Sequence, residues 1–278
     1  MSAGRRLAEL SGPAAAAALG PGSVVVLPTG AVEHHGPHLP LLTDQIMADR
    51  VAAEAVDRAA AAGVDAWVLP TLAYTKSDEH AWAPGTMWLR AETFLQTVVD
   101  LGRSVAAAGA ERLVFLNGHG GNVAPLGVAL REVRRLTGLR TFLVPALVAA
   151  PPPDGEGLDE LGLGIHGGAA ETSMLLHLRP DLVDLSTAER WVPEHLAASE
   201  LIGFHGKPVT FGWLSDDFGP AGVLGDPTQA TAAYGARLYE ASVALAVAAL
   251  TEIAAFHPLG PGHTVAGGAG VAGPVEVR

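Results

Sequence analysis

Short apolar runs bounded by turn residues alternate along this chain with longer stretches in which apolar positions recur every three or four residues. Residues 24–27, 64–69, 112–116 and 141–149 are the short runs and read as strands, and the unbroken apolar run Val24 to Leu27 predicts one buried on both faces. Between them, residues 45–62 carry Ile46, Val51, Ala55, Val56 and Ala59 at helical spacing and stop at Gly63. Residues 92–108 repeat the pattern and stop at Gly109, and 123–136 make a further helix. A short helix lies between Pro13 and the stop at Gly20-Pro21-Gly22. Strand and helix in alternation predict an α/β fold with a parallel sheet covered on both faces.

The pattern weakens after the fourth strand. Residues 151–164 form a loop rich in proline, glycine and acid, and a helix starts near Gly168 with Met174, Leu175 and Leu178 as its apolar positions. Residues 181–225 lack periodicity and read as irregular covering structure. Asp226-Pro227-Thr228 has the form of a helix start, predicting one long helix to Ala255. From residue 258 to 278 the apolar bulk is too small to fold, which leaves a single domain over 1–257 and a disordered tail.

Composition narrows the function. A net charge of -12 with 17 Lys plus Arg argues against a nucleic-acid partner. The clustered Arg131, Arg134 and Arg135 read as the solvated end of a helix. Cysteine is absent, which excludes disulfides and thiolate metal sites and fits a cytoplasmic setting. Glu9 and Pro13 interrupt the N-terminal apolar run, so it is not read as a secretory leader. The apolar segment 241–256 is broken by Thr251 and Glu252 and falls short of the roughly 20 residues of a membrane span, so no membrane partner is expected.

The candidate chemistry starts at VVVLPTGAVEHHGPHLPLLTD, residues 24–44, where a buried strand runs into Glu33, His34, His35, His38 and Asp44. Glu33 and His35 are two apart, so extended backbone sends both side chains to the same side. His119, in N-G-H-G-G-N, follows the third strand, and Glu171 lies in the first turn of the helix after the fourth. Four segments therefore bring Glu33, His35, Asp44, His119 and Glu171 to the end of a parallel sheet where α/β folds keep their sites. Carboxylates and imidazoles without thiolate suit Zn, Mn or Fe, and five ligands suit two ions sharing a carboxylate. Each piece alone is also explained by polar loop chemistry, and a helix cap alone explains Glu171. A non-catalytic metal-containing binding protein is the competing class, distinguished by a coordination sphere closed with protein ligands. A nucleotide-binding domain is excluded, because no phosphate-cradling glycine pattern follows the first strand.

The motifs GAVEHHGPHLPLLTD, NGHGGN, HGGAAETS and GVLGDPTQATA resemble the creatininase (creatinine amidohydrolase) family over residues 23–256. The resemblance implies a three-layer α/β/α sandwich around a mostly parallel sheet. It also implies a hydrolase cutting the C–N bond of a small or cyclic amide with a metal-bound hydroxide, two divalent ions (Zn, Mn or Fe) per chain, and a homo-oligomer, since the family forms hexamers. Its metal ligands map onto Glu33, His35, Asp44 and His119, with Asp44 bridging. Creatininase carries a glutamate where this chain has Gly121, so Glu171 is expected to supply the fifth ligand and to act in catalysis. His166 matches a family histidine beside the substrate and is expected to be the proton donor. Creatininase holds its substrate with tryptophans after the fourth strand, where this chain has none, so creatinine is not the expected substrate. GVLGDPTQATAAYG and ETSMLLHLRPDLV are particularly similar to the mycofactocin-precursor peptidase branch, which trims a C-terminal dipeptide from a small peptide. Tyr74, Ser77, Glu79, His80, Trp82 and Trp88, on the long loop after the second strand, are the expected substrate contacts.

Overall fold

A computed structural model describes residues 4–258 apart from 152–157 and 205, and in it four parallel strands form a sheet in the order β2-β1-β3-β4. The strands are β1 (Val24–Thr29), β2 (Ala66–Val68), β3 (Arg112–Asn117) and β4 (Arg140–Pro145). The helices are α1 (Gly12–Ala18), α2 (Thr43–Ala61), α3 (Ala91–Ala107), α4 (Val123–Thr137), α5 (Ala169–Leu178), the single turn α6 (Glu194–Ala197) and α7 (Ala232–Ala255). The tail expected at 258–278 lies, past its first residue, outside the described residues.

Side chains alternate across a strand, and here the alternation separates two cores. Val24 and Val26 of β1, with Val114 and Leu116 of β3, pack against α2, α5 and α7. Val25, Leu27, Leu113 and Phe115 point the other way, against α3 and α4. The result is the three-layer α/β/α sandwich. Fully burying one such Val or Leu contributes roughly 1.5–3 kcal/mol, and burial on both faces is why Val24 to Leu27 of β1 reads as an unbroken apolar run.

Three expectations shift. β4 ends at Pro145 rather than at 149, and β2 keeps only three residues. The last helix begins at Ala232, where the Thr231 hydroxyl accepts the Tyr234 N–H. Asp226-Pro227 instead opens a separate 3-10 turn, Pro227–Gln229, because Ala230 after it is extended and breaks the helical path. α7 is long and apolar enough to cross a membrane by length and composition alone. Its Leu238, Val243, Ala246 and Leu250 are nevertheless buried in the core shared with α2 and α5.

Register places the site. Thr29 pairs with Asn117 and Asn117 with Pro145, so β1, β3 and β4 end level and their following loops leave from one edge.

Candidate metal centre

Asp44 reaches this edge because the first turn of α2 is wedged between the ends of β1 and β3. A Cβ on Gly30 would lie 2.6 Å from the Gln45 Cα, and one on Gly118 would lie 2.8 Å from the Asp44 carbonyl oxygen. Only glycine lets the three backbones meet so closely. The two asparagines of NGHGGN then fasten the strand ends. The Asn117 Oδ1 accepts from the Thr29 hydroxyl (2.9 Å) and from the Asn122 side-chain amide (3.2 Å), which also donates to the Gly30 carbonyl (3.0 Å).

Three imidazoles are each tied through one nitrogen to a backbone carbonyl. His35 Nδ1–H donates to the Glu33 carbonyl (3.2 Å), His119 Nε2–H to that of Lys76 (2.9 Å) and His166 Nε2–H to that of His34 (2.7 Å). The remaining nitrogens face one buried centre. His35 Nε2 lies 3.1 Å from Asp44 Oδ1, 3.8 Å from Glu33 Oε1 and 3.9 Å from Glu171 Oε2. His119 Nδ1 lies 3.0 Å from Asp44 Oδ2 and 3.2 Å from Glu33 Oε1. His166 Nδ1 lies 3.8 Å from Glu33 Oε1, and its ring is stacked on His80 with centroids 4.1 Å apart.

With the His119 proton on Nε2, Glu33 Oε1 and Oε2 and Asp44 Oδ2 are buried without a hydrogen-bond donor among the described residues. Unsatisfied buried carboxylate oxygens are costly, and a cation among them removes the cost. Ligand atoms of Glu33, His35 and Asp44 converge within 4.8 Å, as do those of His35, His166 and Glu171 and those of Glu33, His80 and His166. The oxygen and imidazole donors present fit a first-row divalent metal.

The electrostatics match a centre built around positive charge. Burial pushes the Glu33 carboxyl up to about 7 against the pull of His119, and burial likewise raises Glu171 to about 7 against His35. Burial opposes charge on His35, yet Asp44 and the neighbouring carboxylates raise it to about 10. Burial also disfavours the Asp44 carboxylate, but His35 and His119 hold it well below the usual range. Burial and the adjacent His35 push His166 well below an ordinary histidine and His80 down to about 3, so both rings are neutral.

Glu33, Asp44, His119, His166 and Glu171 line a cavity of about 370 Å³. Of the loop residues expected to meet substrate, Glu79 and His80 line it too, while Ser77 is buried with its hydroxyl unpartnered. Trp82 instead lines a second cavity of about 350 Å³ with His34 and Trp191, and Tyr74 and Trp88 stay exposed. Sequence reasoning missed Phe211 and Trp213, which wall the main cavity from the aperiodic stretch before α7. It also missed Glu160, whose buried carboxylate accepts the backbone N–H of Ala169 (2.9 Å) and of Asp226 (2.7 Å) and so fixes the start of α5 near Glu171. Glu160 ends an acidic run (Asp154, Glu156, Asp159) just before the glycines at 162, 164, 167 and 168, and nothing in the pattern singles it out from its neighbours.

A buried carboxylate–imidazole centre at the strand ends of an α/β/α sandwich defines the class of a metal-dependent hydrolase. The chain belongs to the creatininase family, whose profile, described as creatinine amidohydrolase, matches residues 8–250. A mycofactocin precursor peptide peptidase from Mycolicibacterium smegmatis is 38% identical over 217 residues, which cover 78% of this chain and 79% of that one. Among solved structures, a manganese creatininase superposes with a TM-score of 0.68 at 28% identity, covering 90% of this chain and 98% of its own. A mutant creatininase of the Zn–Zn type does so with a TM-score of 0.67 at 27% identity and the same coverage.

Proposed function

We propose that this protein hydrolyses an amide C–N bond of a short peptide with the help of two divalent ions, Zn, Mn or Fe, held by Glu33, His35, Asp44, His119 and Glu171. One observation carries the reading: the two oxygens of Asp44 face different imidazoles, Oδ1 toward His35 and Oδ2 toward His119. His35 and Glu171 form one side of the centre and His119 the other, with Glu33 nearer His119 (3.2 Å) than His35 (3.8 Å). When bound, the ions supply Lewis acidity that polarises the amide carbonyl and brings the pKa of water to near ~7.

His166 supplies the proton traffic. Neutral and anchored through Nε2, it holds its Nδ1 toward the centre, where it takes a proton from the attacking water and passes it to the departing nitrogen. Water adds to the carbonyl carbon, the C–N bond breaks, and the products are a carboxylate and an amine. A peptide is favoured over creatinine by the likeness to a precursor-peptide peptidase and by the lack of tryptophan in residues 151–164. Phe211 and Trp213 give the cavity an apolar wall for a side chain of the substrate.

The protein purified without chelator, incubated separately with short peptides and with creatinine and followed by mass spectrometry, tests this. Peptide cleavage that a chelator stops and Zn or Mn restores is the expected result. Creatinine turnover without peptide cleavage overturns the substrate class, and full activity after chelation overturns the metal. We further propose a homo-oligomer, supported by Tyr74, Met87 and Trp88, which are 59%, 56% and 43% exposed on one loop, in the cytoplasm, a setting that a chain without cysteine fits. A monomer mass in light scattering at low concentration overturns that.

A further inference from the structure

We infer that Glu79 is a positioning residue for His119, holding its imidazole so that Nδ1 faces the metal centre, and that glycine at 121 is what admits the Glu79 carboxylate. This deepens the reading of the centre as a metal site and rests on it.

Glu79 stands on a 3-10 turn, Asp78–His80, in the loop after β2, and is 8% exposed. Its two oxygens work on two partners. Oε1 lies 3.4 Å from His119 Nε2, and Oε2 accepts from the Lys76 ammonium at 2.6 Å. Lys76 is also the residue whose carbonyl takes the His119 Nε2–H at 2.9 Å. One carboxylate thus attracts the imidazole N–H directly and, by gripping the Lys76 side chain, steadies the carbonyl that receives it. A proton kept on Nε2 leaves the Nδ1 lone pair for an ion between Glu33 and Asp44. Carboxylates behind metal-bound histidines commonly set tautomer and ring orientation in this way.

Gly121 is the other half of the device. A Cβ there would lie 2.0 Å from Glu79 Oε1, 2.5 Å from His119 Nε2 and 2.9 Å from the Lys76 carbonyl oxygen, so no side chain fits while Glu79 is in place. The carboxylate comes from the β2 loop because the chain after β3 carries none at this point. The proposed role for Glu79 is contact with His119 rather than with substrate.

Zinc affinity measured by competition with a chromophoric chelator tests the inference without any turnover. Glu79→Ala should weaken binding by roughly 10- to 100-fold, the usual worth of such a partner, and Glu79→Gln, which keeps an acceptor, by less. Gly121→Ala should weaken it as well. In a His119→Ala background neither Glu79 variant should cost anything further, because the residue acts through that ring. Long-range ¹H–¹⁵N spectra of the zinc-loaded wild type should show His119 protonated on Nε2, and the Nε2–H resonance should shift in Glu79→Ala and less in Glu79→Gln. Unchanged affinity in Glu79→Ala, or an equal loss with and without His119, overturns the inference while the metal centre stands. If Glu79→Ala does not fold, Glu79→Gln in the two backgrounds decides the same question. A wild-type chain that takes up no zinc overturns the metal reading itself.

Discussion

Asp44 stands between two imidazoles, with Oδ1 3.1 Å from His35 Nε2 and Oδ2 3.0 Å from His119 Nδ1. A carboxylate whose two oxygens face different imidazoles serves both halves of the centre, whereas Glu171 lies toward His35 alone and Glu33 turns one oxygen to the site, 3.2 Å from His119 and 3.8 Å from His35. Asp44→Ala should therefore leave the chain without either ion, while Glu171→Ala and Glu33→Ala should each retain part of the metal. Elemental analysis of the purified variants reads this directly, and equal metal in all three would remove Asp44 from the shared position.

His166 separates chemistry from binding. His166→Ala spares the five proposed ligands, so metal content should hold while amide turnover falls by roughly 10²- to 10⁴-fold, the worth of a positioned acid or base. Loss of metal would make it a ligand, a reading its convergence with His35 and Glu171 leaves to experiment. The substrate must carry an ordinary amide, since an activated leaving group needs little protonation. If both metal and rate persist, His80, stacked on His166, is the next residue to replace.

Gly30 is predicted to be intolerant of any side chain. A Cβ there meets the backbone of Gln45 at 2.6 Å, and backbone yields less easily than a side chain. Gly30→Val should destabilise the fold by about 1–3 kcal/mol or more and push Asp44 away from the centre. A lowered denaturation midpoint together with reduced metal content is the expected pair of measurements. Normal metal content would show that α2 can shift without moving Asp44.

His38 should make the fold acid-sensitive. Its Nε2–H donates to the Gly167 carbonyl (3.1 Å), while Nδ1 is buried with no partner among the described residues, so a second proton finds no acceptor there. Burial lowers its pKa from 6.5 to about 4. The neutral ring's contribution is complete above the unfolded value of 6.5 and is lost as pH falls from there toward 4. Urea denaturation across that window should show a shallower loss of stability on acidification in His38→Gln than in the wild type. Parallel curves would mean that His38 titrates normally.

Much of the sandwich was legible in the chain because a sheet covered on both faces writes itself as unbroken apolar runs, and helices write theirs at a different period. Boundaries were less so. The end of β4 at Pro145 and the start of α7 at Ala232 depend on pairing and on the Thr231 cap, which local pattern does not distinguish from the Asp226-Pro227 turn. Within the site, Glu33 and His35 could be joined from their spacing alone, since alternation across extended backbone is a local rule.

The amino-acid sequence by itself determined the order of strands and helices, the kind of donors at the strand ends and the absence of thiolate. Tertiary structure alone decided which nitrogen His119 and His166 present, because a backbone carbonyl from elsewhere takes the other: Lys76 for His119 and His34 for His166. It alone brought Glu79 into the space beside Gly121 and Phe211 and Trp213 over the cavity. Those segments are far apart in the chain, and nothing periodic in either partner encodes the meeting. A level edge of three paired strands and close approaches at glycines create it, and both exist only once the sheet has formed.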